Sequence, residues 1–154
     1  MFNQKTKKLM ENKKKLTIEE VPGWFAMCNR NDCTVCDQCL HYMAFRDVVT
    51  EKQWAISLVN PLRVVPNGEC EFFKTDEPAT FARGFKKMQR EMLPRQYEDF
   101  SCKLIGKFGR TGYYERRRGE RLCSPAEIEK IRAVLQEIGL PNLEFDEYVK
   151  QINW

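Results

Sequence analysis

Cys28, Cys33, Cys36 and Cys39 put four sulfurs within twelve residues, separated by four, two and two positions. A tightly folded loop can bring such sulfurs toward one ion. Zinc takes four thiolate or imidazole ligands in a tetrahedron, and cysteines two residues apart commonly supply two of them from one turn. The pairs 33/36 and 36/39 share a residue, so they are not the two independent knuckles of a zinc ribbon. The same run has the spacing of an iron–sulfur loop, but Cys39 is followed by Leu-His-Tyr instead of three residues and Cys-Pro, which lowers that option. Cys70 is a candidate distant fourth ligand. His41, the only histidine, sits two residues past Cys39 with no evident nucleophile or carboxylate around it. Three states stay open for the cluster: a bound metal, chiefly zinc; reduced cysteines used for packing; and a redox-active or regulatory thiol.

A second kind of chemistry belongs to GRTGYYERRRGERL (109–122). Arg110, Arg116, Arg117, Arg118 and Arg121 concentrate positive charge over twelve positions. Arginine reaches phosphates and pairs with guanine edges, although phosphate contacts alone carry no base sequence information. Nucleic acid, an acidic protein partner, and a solvated face paired with Glu115 and Glu120 all satisfy this pattern. No phosphate-cradling glycine loop, HExxH or GxSxG motif is present, so an enzyme of unassigned class ranks third among the functional readings.

Global properties bound these readings. A chain of 154 residues, 42% apolar and 31% charged, is long enough to bury a real core without help from a metal. The net charge of +4 is unevenly spread. Twelve basic and five acidic residues give +7 over 83–123, whereas 21–82 and 124–154 each carry −3 and 1–20 carries +3. A partner feels that local field more than the total. Seven cysteines are an odd number in a sequence with no apolar h-region near its start, which favours a reducing, cytoplasmic setting and thiols or thiolate ligands over disulfides. Apolar runs are too short to span a bilayer.

The elements that must position these residues follow from local signals. Residues 1–15 hold six lysines and one glutamate and read as a flexible basic tail or a phosphate-touching arm. At Leu16, Thr17 and Glu20 form a capping box and Leu16 can staple against Val21, before Pro22-Gly23 ends the turn. LHYMAFRDVV (40–49) suits a short helix with Leu40, Met43 and Val48 facing in. QWAISLVNP, LRVVP and CEFFKT suit strands, so a small antiparallel sheet is expected between 54 and 74, with a turn at Asn67-Gly68, and would return Cys70 to the cysteine loop. Phe81, Phe85, Met88 and Met92 form a helical stripe. Pro94 opens the next helix, with Tyr97, Phe100, Leu104, Ile105 and Phe108 inward and Gly109 as its C-cap. A short helix capped by Thr111 should stop at Gly119. Ser124, Pro125 and Glu127 sign the start of the clearest helix, which buries Ile128, Ile131, Leu135 and Ile138 and ends at Gly139 and Pro141. Phe145, Tyr148, Val149, Ile152 and Trp154 form a closing apolar segment.

Two resemblances add to this reading. The helix over 101–108, the turn at 109–111, the short helix over 113–118 and the long helix from Ser124 resemble a repressor-type helix-turn-helix, whose second helix enters the major groove. That resemblance implies Thr111, Tyr113, Arg116 and Arg117 as groove or backbone contacts, with Leu104, Phe108 and Leu135 in the core. The sequences VPGWFAMCNRNDC, VVPNGECEFF, KLIGKFGRTGYY and the terminal INW resemble an uncharacterised family of small proteins from gut Bacteroidales bacteria, over 21–154. It implies Cys28, Cys33, Cys39 and Cys70 as the ligand set, with Cys36 an addition that can substitute, and implies no activity, cofactor or partner.

The expectation is therefore an α+β protein: a basic tail over 1–15, then one compact domain over 16–154. Its cysteine-bearing and sheet part runs over 16–78 and a bundle of about four helices over 79–154. The preferred function is a cytoplasmic DNA-binding or regulatory protein with structural zinc and no catalysis. The nucleic-acid surface would comprise Arg110, Thr111, Tyr113, Arg116, Arg117, Arg118 and Arg121. The alternative is a metal-stabilised protein-interaction module whose arginines meet an acidic protein. Neither reading involves a membrane.

Overall fold

A computed structural model describes residues 15–67 and 69–154, so the basic tail, apart from Lys15, lies outside the described residues. The chain divides into two compact units, one running to Asp76 and taking in Trp154, the other Glu77–Asn153. Among the described residues the fold is a small α+β arrangement with one two-stranded antiparallel sheet, cysteines gathered in the N-terminal part, and four α-helices, three of them in the C-terminal unit.

In the N-terminal unit half of the expected capping box at Thr17 is made within a turn, the Glu20 amide donating to the Thr17 backbone O at 3.1 Å. The Thr17 amide donates to Glu20 Oε2 at 2.9 Å, and Leu16 and Val21 are both buried, as a staple requires. Helix α1 (Leu40–Val48) buries Leu40, Met43, Ala44 and Val48, close to the expected inward face. The expected sheet between 54 and 74 is not formed. Pro61 opens a 3-10 turn (Pro61–Arg63), and only an isolated parallel bridge, Met27 to Leu58, forms along QWAISLVNP. The reason is physical. Pro61 and Pro66 withdraw ladder donors, and apart from the buried Val59 most of the apolar side chains cover no face, with Trp54 91% and Leu62 93% exposed.

The sheet instead lies in the C-terminal unit. Strand β1 (Ala79–Arg83) pairs antiparallel with β2 (Glu147–Gln151), in a register from Ala79 opposite Gln151 to Arg83 opposite Glu147. The helical stripe beginning at Phe81 is therefore corrected. Phe81 is on a strand, and Gly84 (φ +68°) breaks the chain before the short helix α2 (Lys86–Arg90). A Cβ at Gly84 would sit 2.6 Å from Asp146 Oδ2. That carboxylate takes the amides of Lys86 at 3.0 Å and Lys87 at 2.9 Å, so α2 is capped by a residue sixty positions away. On its other edge β1 bridges Cys123, through Ala82 N–H to Cys123 O at 3.0 Å and the reverse bond at 2.8 Å.

Helix α3 (Pro94–Arg118) begins at the proline expected to open it and is broken at Gly109, whose φ of +72° and ψ of 165° no helix contains. Its two segments are the expected pair, with the second already helical at Arg110. Helix α4 (Pro125–Glu137) carries the predicted capping box: Glu127 N–H donates to Ser124 Oγ at 3.3 Å and the Ser124 amide to Glu127 Oε2 at 3.0 Å. Phe85, Met88, Phe100, Leu104, Tyr113, Ile131, Val134 and Leu135 are fully buried and form the core of this unit.

Candidate functional site

Five cysteines from three stretches of the N-terminal unit line one small cavity, together with His41: Cys28, Cys33, Cys36, Cys39 and Cys70. Backbone bonds in irregular loops do the positioning. Met27, next to Cys28, donates to Ser57 O at 2.8 Å and accepts from Val59 N–H at 2.9 Å, and the Cys28 amide donates to His41 O at 2.8 Å. Cys36 and Cys39 close successive turns, the Cys36 amide on Cys33 O at 3.2 Å and the Cys39 amide on Cys36 O at 3.0 Å. Cys70 arrives without a hairpin. The Leu40 amide takes Lys74 O at 2.7 Å, Cys39 bridges Thr75, and the Thr34 amide takes Pro66 O at 3.2 Å, so the 66–75 loop is tied to the start of α1 and to the cysteine turn.

The cavity volume is about 20 Å³, room for one water or one ion. Burial pushes the Cys28 thiol up from its ordinary range, and the sulfurs of Cys39, Cys70 and Cys33 push the same way against a backbone hydrogen bond at Arg30. Burial also raises the Cys36 thiol, aided by Asp37 and Cys33. All seven cysteines are free, and among the described residues no group of three or more His, Cys, Asp or Glu side chains is placed so that it could hold a metal ion. His41 stacks on Phe25 at 4.3 Å between ring centroids. Its Nδ1 lies 2.5 Å from Ala26 O, and because a carbonyl only accepts, Nδ1 carries the proton and Nε2 keeps its lone pair. Burial holds its pKa below the usual value.

The basic segment, in the C-terminal unit, is divided in its use. Arg110, Thr111, Arg118 and Arg121 are exposed. Tyr113 and Arg116 are not: Tyr113 is fully buried and Arg116 is 4% exposed. The Arg116 guanidinium donates to Glu127 Oε1 at 2.5 Å and to Gly112 O at 2.9 Å and lies 4.4 Å above the Phe108 ring. Arg117 is half-buried and donates to Gln89, whose amide donates to the Tyr113 hydroxyl at 2.5 Å. Arg118 makes a two-pronged pair with Glu120 at 2.6 and 2.8 Å. Tyr113 and Arg116 therefore serve the interior and do not face a partner. Their place on the inward side of the broken helix was legible only weakly, through the spacing from Leu104 and Phe108.

The Arg116–Glu127 pair carries a pH signature. Burial by itself would raise the Glu127 carboxyl, but hydrogen bonds from Arg116 and from the Ser124 amide, with the Arg116 charge, hold it below the ordinary carboxylate range. A carboxyl depressed on folding stabilises above its unfolded pKa and loses that contribution as pH falls through the folded one. Glu127→Gln should thus cost about 1.5–3 kcal/mol at neutral pH, the range for a hydrogen bond to a charged group. In thermal melts from pH 7 down into the acid range, its deficit against the wild type should shrink. A gap that does not change with pH would remove the ion pair from the account.

The fold and site define a small two-unit α+β protein with a thiol-lined cavity in its N-terminal unit. Residues 10–154 match Family of unknown function (DUF6078), and the chain belongs to that family. No curated protein and no solved structure matches it. Among the described residues no helix is long and apolar enough to cross a membrane.

Proposed function

We propose that the N-terminal unit is a structural zinc module, with Cys28, Cys33, Cys39 and Cys70 as its ligands, and that the protein acts as a metal-stabilised interaction module without catalysis. The convergence of five thiols on a cavity of ionic size carries this reading. Thiolates are soft ligands that suit zinc, and a site closed by four of them is structural. The electrostatic neighbours of Cys28, namely Cys39, Cys70 and Cys33, are the other three members of the set. The unit also has use for a staple. Among its described residues it buries eight apolar side chains against thirteen in the C-terminal unit, and a core of that size supplies little stability. Free thiols suit a reducing compartment such as the cytoplasm.

Between a nucleic-acid and a protein partner, the use of the arginines favours protein. Arg116, Arg117 and Arg118 are engaged by Glu127, Gln89 and Glu120, and Tyr113 is interior, which leaves Arg110, Thr111 and Arg121 of the expected nucleic-acid surface exposed and outside those pairs among the described residues. Trp24 and Trp54, 73% and 91% exposed, are side chains enriched where proteins bind proteins. The first test is metal content per chain in protein purified without added metal, with thiols titrated before and after chelation. About one zinc, with four thiols unmasked on its removal, is expected. No zinc, with all thiols reactive from the outset, overturns the module. Binding of duplex DNA that weakens steeply with salt and is lost in Arg110→Ala/Arg121→Ala would replace the protein partner with nucleic acid.

A further inference from the structure

The cavity has five thiols around it, and a tetrahedral ion uses four. We propose that Cys36, the thiol left over, makes the site a redox-released one: on oxidation it forms a disulfide with Cys33 in the same turn and withdraws a ligand from the metal. The inference rests on the zinc reading above.

A turn brings this pair together. The Cys36 amide donates to Cys33 O at 3.2 Å, closing a four-residue turn. Such a turn holds its end Cα atoms within about 7 Å, and a disulfide needs about 4.4–6.8 Å. Cys36 also closes a turn with Cys39, whose amide donates to Cys36 O at 3.0 Å, so the position of the bridge is what the test must read. The Cys36 thiol is half-exposed and donates weakly to Asn31 O at 3.9 Å, so an oxidant in solution can reach it. Cys123, buried in the C-terminal unit, offers no such access.

The step balances with hydrogen peroxide as oxidant. The Cys36 sulfur attacks one peroxide oxygen, the O–O bond breaks, and Cys36 becomes a sulfenic acid with release of water. The Cys33 thiolate then attacks the Cys36 sulfur, forming the S–S bond and expelling hydroxide. Two electrons pass from the two sulfurs to peroxide, and the metal is left with three sulfurs. A dithiol reductant restores both thiols.

The test uses the full chain loaded with zinc, as wild type and as Cys36→Ser. Hydrogen peroxide is added, zinc release is followed with a chromogenic chelator, and disulfides are mapped by mass spectrometry after alkylation. Wild type should release zinc several-fold faster than Cys36→Ser, with a Cys33–Cys36 disulfide that dithiothreitol reverses together with zinc binding. Equal release from the two proteins, or a bridge that joins Cys36 to Cys39 or omits Cys36, overturns the inference while the zinc site stands. Absence of zinc from both proteins before peroxide is added overturns the zinc reading, and the inference with it.

Discussion

On the proposed zinc module, Cys28→Ser should abolish tight zinc binding and unlock the N-terminal unit. Cys28 is the sulfur whose electrostatic neighbours are Cys39, Cys70 and Cys33, and backbone bonds hold it in place, through the Cys28–His41 bond and the pairing of Met27 with Ser57 and Val59. A serine hydroxyl keeps the size but gives up the thiolate. The binding free energy of a structural zinc is folding free energy, on the order of 10–16 kcal/mol in small zinc-finger peptides at pH 7. Eight buried apolar residues do not replace a contribution of that order. Zinc per chain should therefore drop to near zero in the presence of a competing chelator. Hydrogen exchange should speed up at the amides of Cys28, Leu40 and Met27, while those of Ala82 and Ile128 in the C-terminal unit keep their protection. Cys102→Ser, an exposed thiol in the other unit, should change neither reading. Full zinc retention by Cys28→Ser would remove Cys28 from the ligand set.

Phe85→Ala should cost the C-terminal unit about 3–5 kcal/mol, the range for emptying a fully buried aromatic site. Phe85 is completely buried, and its ring stands 5.8 Å from Phe100, 5.8 Å from Tyr113 and 6.5 Å from Phe145 between centroids. Those three rings come from two segments of a broken helix and from the chain just before β2, so one deletion loosens three elements at once. The position allows little collapse. Gly84 and Asp146 pin the backbone on one side, and Met88, also fully buried, follows one turn later. Urea denaturation followed by near-ultraviolet circular dichroism measures the loss. A cost below about 1 kcal/mol would mean that the surrounding rings refill the space, contrary to the close packing of interiors.

Much of the chain was legible because its signals are local. The Ser124/Glu127 box, Pro94 at a helix start, the Gly109 break and the inward faces of α1 and α4 each depend on residues within a turn or two of one another, and the structure has them where the sequence implies. The stripe from Phe81 was misread for an equally local reason. Apolar spacings of four and three fit a helix, and nothing nearby reveals that the partner of this segment is β2, 68 positions on. The strands expected between 54 and 74 failed for want of a surface to cover, a condition that propensity does not encode.

The candidate site divides in the same way. Residue type and spacing alone singled out Cys28, Cys33, Cys36, Cys39 and Cys70, because sulfur chemistry does not depend on the fold. Which arginines point inward was a tertiary decision. Arg116 became a buried partner of Glu127, and Tyr113 a core ring, since the break at Gly109 turns that face of α3 toward α4. Cys70 likewise reached the cavity through Leu40–Lys74 and Cys39–Thr75 pairings between distant backbone groups. Local chemistry is written in neighbours along the chain, whereas burial and convergence are settled by which distant surfaces pack together, and only the folded chain contains those.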